Sequence, residues 1–451
     1  MKKHIFPVLV LATATFLLAL PALHYGYLLE DYKYLRSYSL DEIGQTFYSQ
    51  WEPTLRETRG YRPFHSIHYA VCHWLIGGDP FRNHILKTCL LIIVALLIYA
   101  FGTHCSGNSS AGFWIALVYI CLGGNAWQAS WLNHRHHILQ VLLIILSLLA
   151  FDFYLTRRRI LTWFLAFFFF FLAFLFKEEV ATFPLVLAAY AWLVKGKNIR
   201  SFIRPLLPFF ILALLLISMR TVVIKTLPDD DSFQPGKSLT PSHLVHEYGR
   251  SVFSTLIQTF GTHDPDNWEF PMYGSGLVTT RDYIGFLSLI GIFILGGSLL
   301  LKYGTAMEKK TFGLGIFLLL FVSIIVAAWY RNNRLYISSI GVALMVGTIA
   351  SCSFRSLLIN RRDLLQIAIC VLVIIFLLTY LSMNLASFLE IQESLRPDGT
   401  ISLLWDKWVY DEALPWMKPE QLEIFRDKLI SSGRTEWAEE VSRILATHSG
   451  F

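Results

Sequence analysis

Charge is scarce in this chain of 451 residues: Asp, Glu, Lys and Arg together make up 16% of it, against 55% hydrophobic residues. Mean hydropathy is +0.51. With its long apolar runs, that composition excludes an ordinary soluble domain and points to a polytopic membrane protein. Cysteine is sparse too. The six cysteines are scattered, and Cys89, Cys121, Cys352 and Cys370 lie inside apolar runs, which excludes a disulfide framework and any zinc spacing. The net charge of +6 calls for no nucleic acid partner, because the Lys/Arg excess sits in short clusters between hydrophobic spans. No small-x-small cleavage site accompanies Met1-Lys2-Lys3 and the apolar stretch Ile5 to Leu23, so that segment is expected to be retained as an anchor.

What is present is a series of apolar segments. A helix needs about 20 such residues to cross the hydrocarbon core. Candidate spans are 5–23, 84–103, 111–126, 136–155, 160–176, 179–194, 203–222, 282–301, 311–329, 335–352 and 364–384, about eleven in all. The expected fold class is therefore an all-α polytopic membrane protein. A transmembrane domain, 1–384, carries a first outer loop at 24–83 and a large outer loop at 225–281, and a helical region follows at 385–451.

Charge asymmetry orients the chain. With the N-terminus in the cytoplasm, the cytoplasmic loops hold Arg157-Arg158-Arg159, Lys195, Lys197, Arg200, Arg204, Lys302, Lys309, Lys310, Arg355, Arg361 and Arg362. The loops on the other side, at 127–135, 177–178 and 330–334, hold only Arg135, Lys177, Arg331 and Arg334. This pattern requires that 64–77 not cross the membrane. Ile67, Val71 and Trp74 recur there at helical spacing while His65, Tyr69 and His73 line another face, the pattern of a helix lying at the interface. A second such helix is expected over 242–260. Pro419 to Ile430 and Thr435 to Thr447 read as a helical hairpin, either a small cap or one degenerate tetratricopeptide-like unit. Asp152 and Lys87, near span ends, read as snorkelling residues.

The conspicuous polar residues fall on the outer side. They are Glu30-Asp31, Arg62, Asn133-His134-Arg135-His136-His137, Lys177-Glu178-Glu179 and Arg331-Asn332-Asn333-Arg334. Ionisable groups at membrane depth are costly and usually line a cavity or pair with one another. Glycosyl transfer from a polyprenyl phosphate needs a carboxylate at the acceptor hydroxyl, cations at the departing phosphate and an apolar groove for the tail. Asp31 or Glu30 suits the first role. Arg62, Arg135, Lys177, Arg331 and Arg334 are candidates for the second, with His65, Asn133, His137 and Glu178 beside them. The bland readings are a solvated loop end for Glu30-Asp31, a helix start for Arg62-Pro63 and a local ion pair for Lys177-Glu178. His134 and His137, at i,i+3 on a helix, are a candidate metal pair, although interfacial histidines are more often hydrogen-bonded structural groups.

Taken in order, the acidic pair, Tyr61-Arg62-Pro63, Gly77-Gly78-Asp79-Pro80-Phe81-Arg82-Asn83-His84-Ile85, the Asn133–His137 loop, Phe176-Lys177-Glu178-Glu179 and Arg334-Leu335-Tyr336 resemble one family. It is that of the transmembrane-and-tetratricopeptide O-mannosyltransferases and their bacterial relatives. The sequence is more distantly similar to protein O-mannosyltransferases and aminoarabinose transferases, all of the GT-C class. The resemblance covers about residues 20–345. It implies Asp31, with Glu30, as the catalytic pair, and Arg62, Arg135, Lys177 with Glu178, and Arg334 around the donor phosphate. The sequence departs from it where His137 stands in place of an acidic residue, and where Asn125-Ala126-Trp127 replaces a His-Pro element.

The expectation is a membrane glycosyltransferase using a polyprenyl-phosphate sugar as donor and a lipid, glycan or protein as acceptor. Its site and C-terminus face away from the cytoplasm, the bacterial periplasm being favoured over the endoplasmic reticulum. A divalent cation is compatible with this chemistry, and no other cofactor is expected. The rivals are a lipid-linked oligosaccharide flippase or other transporter, and an O-antigen polymerase or ligase. Transporters commonly show inverted repeats and broken mid-membrane helices. This sequence shows no symmetry between halves.

Overall fold

A computed structural model of the chain describes residues 2–26, 31–48, 61–122, 129–225, 248, 280–328, 336–359, 364–394, 419–431 and 435–448. The helices are α1 (Lys2–Ala19), α2 (Asp31–Tyr34), α3 (Leu40–Gln45), α4 (Pro63–Ile76), α5 (Pro80–Ser106), α6 (Ser109–Cys121), α7 (Arg135–Arg157) and α8 (Ile160–Phe176). They continue with α9 (Phe183–Ala189), α10 (Ile199–Lys225), α11 (Thr280–Gly291), α12 (Gly297–Tyr303) and α13 (Ala306–Ala328). The last four are α14 (Tyr336–Ile359), α15 (Leu364–Ser394), α16 (Pro419–Ser431) and α17 (Thr435–His448). Single π-type turns at Tyr190–Val194 and Ile292–Gly296 extend α9 and join α11 to α12. Among the described residues there is no strand.

Within the described residues, the spans expected from hydropathy fall mainly on helix. Among the described residues, six helices are long and apolar enough to cross a membrane: His4–His24, Pro80–Ser106, Leu132–Arg157, Ile199–Met219, Ile337–Leu357 and Leu364–Ser382. Shorter apolar helices occupy Ser109–Cys121, Ile160–Phe176 and Leu287–Tyr303. α14 is the central one, with 94% of its apolar window buried, whereas the windows of α1 and α10 are 22% and 28% buried. The peripheral helices turn Phe164, Phe168, Leu207, Leu214 and Ile294 outward, as a surface solvated by lipid requires.

Small residues let the central helices touch. A Cβ on Gly315 of α13 would lie 2.6 Å from the carbonyl oxygen of Gly341 of α14, and one on Gly341 would meet Gly315 at the same distance. That is the small-residue contact by which apolar helices pack closely where lipid tails remove the hydrophobic drive. α7 and α8 form an antiparallel pair, and Arg158, in the left-handed region at φ 54°, closes the turn between them.

α4 is the amphipathic helix expected over 64–77. His65, Ser66, His68 and Tyr69 are buried, while Val71, Trp74 and Leu75 are exposed. Pro63 begins the helix, where a missing N–H costs nothing. The helix expected over 242–260 and nearly all of the loop 225–281 lie outside the described residues, Tyr248 apart. The hairpin near the C-terminus is present as α16 packed on α17.

The structure corrects the reading of Lys87 and Asp152, since neither snorkels. Lys87 is fully buried and its Nζ donates to the carbonyl of Trp131. Asp152 is buried against His104 Nε2 at 2.7 Å, Tyr190 Oη at 2.9 Å and the Lys195 ammonium. A run of apolar neighbours says nothing about whether a polar side chain turns to lipid or to another helix. Here α5 and α7 face each other, so both groups point inward. The Asp152 cluster and the bidentate Arg355–Glu308 pair, with both bonds at 2.8 Å, fasten the end of the bundle opposite the site.

Candidate active site

The site forms where the N-terminal ends of α4, α5 and α7 meet the C-terminal end of α8. α8 stops at Phe176, and Lys177 takes up extended backbone at φ −166°. This break turns three consecutive charged residues, Lys177, Glu178 and Glu179, into the bundle, where all are buried. Facing them, a short turn over Leu132–His134 leads into α7, whose first residue is Arg135.

Asp31, at the start of α2, is fully buried. Its carboxylate accepts from the backbone N–H of Leu132 at 3.2 Å and of Asn133 at 2.6 Å. Bonds from N–H groups to an ionised carboxylate are among the stronger hydrogen bonds, and they fix the side chain against the turn that carries Asn133. Asn133 in turn accepts from Tyr69 Oη at 3.1 Å and meets His65 Nε2 at 3.0 Å. The His65 ring is packed edge-on against Tyr34, Tyr69 and His136, with centroids 5.0, 4.9 and 4.6 Å away. Burial first, then the neighbouring His68 and Arg62, hold His65 well below the ordinary imidazole range, so it is neutral at pH 7.

Two ion pairs close the other wall. Arg62 presents Nε and Nη2 to the two oxygens of Glu178, both at 3.2 Å. Lys177 Nζ lies 2.7 Å from Glu179 Oε1 and 3.3 Å from His137 Nε2. Arg135 is fully buried, donates from Nη1 to Asn83 Oδ1 at 3.0 Å and lies over the Tyr69 ring at 5.2 Å.

The structure therefore brings together Asp31, Arg62, His65, Asn133, Arg135, His137, Lys177 and Glu178. Glu30, Arg331 and Arg334 lie outside the described residues. Lys177 pairs with Glu179, while Glu178 reaches across 116 residues to Arg62. For the candidate metal pair, the rings of His134 and His137 are edge to face at 5.3 Å, and the Lys177 cation stands at the His137 nitrogen. Among the described residues no three His, Cys, Asp or Glu side chains converge as a metal-ligand group.

Sequence reasoning did not assign Tyr69, Asn83 or Lys87 to this site, and it named Glu179 only among the outer polar residues, without a role. A lysine inside an apolar run is the one sequence signal that could have drawn attention to Lys87.

No protein-family model matches the chain, and a search of curated proteins finds no match. Among solved structures, the fold is similar to that of the oligosaccharyltransferase of Archaeoglobus fulgidus tethered to an acceptor peptide, with a TM-score of 0.52 at 14% identity. That alignment covers 93% of this chain and 59% of the other. A second similar structure is the archaeal oligosaccharyltransferase AglB of the same organism, in complex with an inhibitory peptide and a dolichol-phosphate. Its TM-score is 0.50 at 14% identity, over 92% of this chain and 59% of that one. The chain thus spans less than two thirds of the length of either. What the likeness establishes is architecture: this is an all-helical integral membrane protein with the GT-C fold.

Proposed function

We propose that the protein is a membrane glycosyltransferase. It moves a sugar from a polyprenyl-phosphate donor to a hydroxyl of a lipid, glycan or protein acceptor on the side of the membrane away from the cytoplasm. The observation that carries this reading is the convergence of Asp31, Arg62, His65, Asn133, Arg135 and Lys177, from separate parts of the chain, at one end of the bundle. Support comes from the fold, since one similar structure is a complex with dolichol-phosphate.

In the proposed reaction the acceptor oxygen attacks the anomeric carbon. The bond from that carbon to the phosphate oxygen breaks, and the lipid phosphate leaves with the electron pair. Asp31 takes the acceptor proton. Buried cations stabilise the leaving phosphate in a medium where charge interactions are strong. His65 and Asn133 hold the loop that carries the N–H donors of Asp31. The exposed apolar face of α4, with Trp74 82% exposed, suits a helix lying at the membrane surface beside the lipid donor. In this reading 1–384 form the catalytic domain and 385–451 an outer helical region.

A flippase or other transporter is the rival class, and its substrate site belongs near mid-membrane. The polar cluster lies instead at one end of the bundle. Mass spectrometry of glycolipids, glycans and proteins from cells with and without the gene tests the proposal. Loss of one glycosylated species is expected. An unchanged glycome with a mislocalised lipid-linked precursor favours the transporter.

A further inference from the structure

At the end of the bundle away from the candidate active site, cations gather without acids. Arg157, Arg158 and Arg159 form the turn from α7 to α8, and Lys197, Arg200 and Arg204 lead into α10. Among the described residues no Asp or Glu pairs with any of them. The buried acids at this end are already held, Asp152 by Lys195 and His104, and Glu308 by Arg355. Lys309 donates to the carbonyl of Leu301 at 2.7 Å. Arg157 and Arg158 lie over Phe153 and Tyr154 of their own helix at 5.6 and 5.7 Å, whereas Arg159, Arg200 and Arg204 are exposed. Orientation in the membrane asks for cations in a loop, and it does not ask that they converge without counter-ions.

Packing brings these cations to one level. Phe209 of α10 meets Phe151 of α7 and Phe167 of α8, with ring centroids 6.0 and 5.3 Å apart. Nearer the end of the bundle, Trp163 Nε1 of α8 donates to the carbonyl of Pro205 of α10 at 2.9 Å. At a rise of about 1.5 Å per residue, Arg157, Arg159, Arg200 and Arg204 all stand about 7–14 Å beyond the level of Phe209. Arg159 comes one turn before Trp163, on the side of α8 that meets α10. On α10 itself, Arg200, Arg204, Leu207, Ile211 and Leu214 recur at helical spacing, and all are exposed. They form one outward stripe, cationic at the end of the bundle and apolar below it.

We propose that this stripe, with Arg159 beside it, is a binding site for an anionic phospholipid. The headgroup phosphate sits among Arg159, Arg200 and Arg204, and an acyl chain lies along Leu207, Ile211 and Leu214. Charge selects an anion, and the planar donor fork of arginine suits phosphate oxygens. The apolar stripe below selects an anion that carries a tail, since a soluble anion or an acidic protein would leave it unused. Basic clusters where helices reach the membrane surface hold lipid headgroups in this way. The inference does not draw on the proposed reaction, and its site lies at the other end of the bundle from Asp31.

Native mass spectrometry of the full chain tests it. The protein is stripped of lipid in detergent and titrated with dioleoyl phosphatidylglycerol or dioleoyl phosphatidylcholine, with inorganic phosphate as competitor. Wild type should retain phosphatidylglycerol saturably and in clear preference to phosphatidylcholine, and inorganic phosphate at equal concentration should not displace it. Arg200→Gln combined with Arg204→Gln should weaken phosphatidylglycerol binding about 30-fold, and Arg159→Gln alone about 5-fold. Lys302→Gln combined with Lys309→Gln removes equal charge from another turn at the same end and should leave binding unchanged. Should the Arg200 and Arg204 double variant not fold, Arg159→Gln against the lysine double variant carries the comparison. The inference is overturned by equal retention of the two lipids in wild type, or by unchanged phosphatidylglycerol affinity in the arginine variants. It is overturned too by an equal loss in the lysine double variant, which would mean diffuse attraction to charge, or by displacement with inorganic phosphate, which would mean a site for soluble anions.

Discussion

Lys87 and Asp31 grip the two ends of one peptide unit: Lys87 Nζ donates to the carbonyl of Trp131, and Asp31 Oδ2 accepts from the N–H of Leu132 at 3.2 Å. Cation, amide and carboxylate are thereby strung in line, each bond polarising the next. The arrangement sets the path of the turn over Leu132–His134 and the position of Asp31 together.

Lys87→Met should therefore lower Tm and transfer activity together. In the double variant with Asp31→Asn the losses should be less than additive, with a coupling of about 0.5–3 kcal/mol. Unfolding of the two single variants and the double variant in one lipid composition measures it. Strictly additive losses would show that the two side chains do not act through the shared peptide.

Arg62 and Glu178 join α4 to the break after α8, and neither is free to face solvent. Glu178→Gln leaves the arginine buried without its carboxylate, and breaking a buried pair costs about 3–5 kcal/mol. Replacing both by Met should recover most of that loss, as read by thermal unfolding. If the double variant is as unstable as Glu178→Gln, the pair is doing more than neutralising itself.

Acid should destabilise the site. Burial first, then Arg135, holds His68 well below the ordinary imidazole range, as it does His65 through His68 and Arg62. The unfolded chain takes up protons on these histidines as pH falls through about 6.5, while the folded protein does not. Stability contributed by the neutral rings is therefore present above that pH and lost progressively below it. Tm should drop between about pH 7.5 and 5.5, and His68→Asn should flatten the curve. An unchanged pH dependence in His68→Asn contradicts this.

The Lys/Arg distribution predicts which loops face the cytoplasm. A single cysteine placed by Ser232→Cys should react with an impermeant reagent in intact cells, and one placed by Lys197→Cys only after permeabilisation. The reverse pattern would put the whole polar cluster on the cytoplasmic side.

Where helices begin and end was largely legible in the sequence. Residues 160–176 were read to the residue, because Arg157-Arg158-Arg159 and Lys177 bound an unbroken apolar run. α5 starts at Pro80 rather than at 84 because Asp79 caps it, its side chain accepting from Phe81 N–H at 2.9 Å, a signal that hydropathy does not contain. α15 runs to Ser394, beyond the apolar stretch that ends at 384, since a helix need not stop where hydropathy falls. For the cluster, residue type and position at the ends of apolar runs were enough to single out Asp31, Arg62, Arg135 and Lys177. The pairing was not legible. Nothing local tells Glu178 to meet Arg62 while Glu179 meets Lys177, because the choice depends on how the chain turns after α8. The same holds for Lys87, whose direction is set by the packing of α5 against α7.

The central claim is that Asp31 is the base of a glycosyl transfer. Asp31→Asn keeps the size of the side chain and one oxygen for the N–H groups of Leu132 and Asn133, so folded protein is expected. The measurement is in-vitro transfer from purified polyprenyl-phosphate sugars to a cell-envelope acceptor, comparing wild type with Asp31→Asn. The account predicts turnover by wild type and a loss of about 10²- to 10⁴-fold in the variant. Near wild-type turnover by well-folded Asp31→Asn would contradict it and move the catalytic role to Glu30 or Glu178.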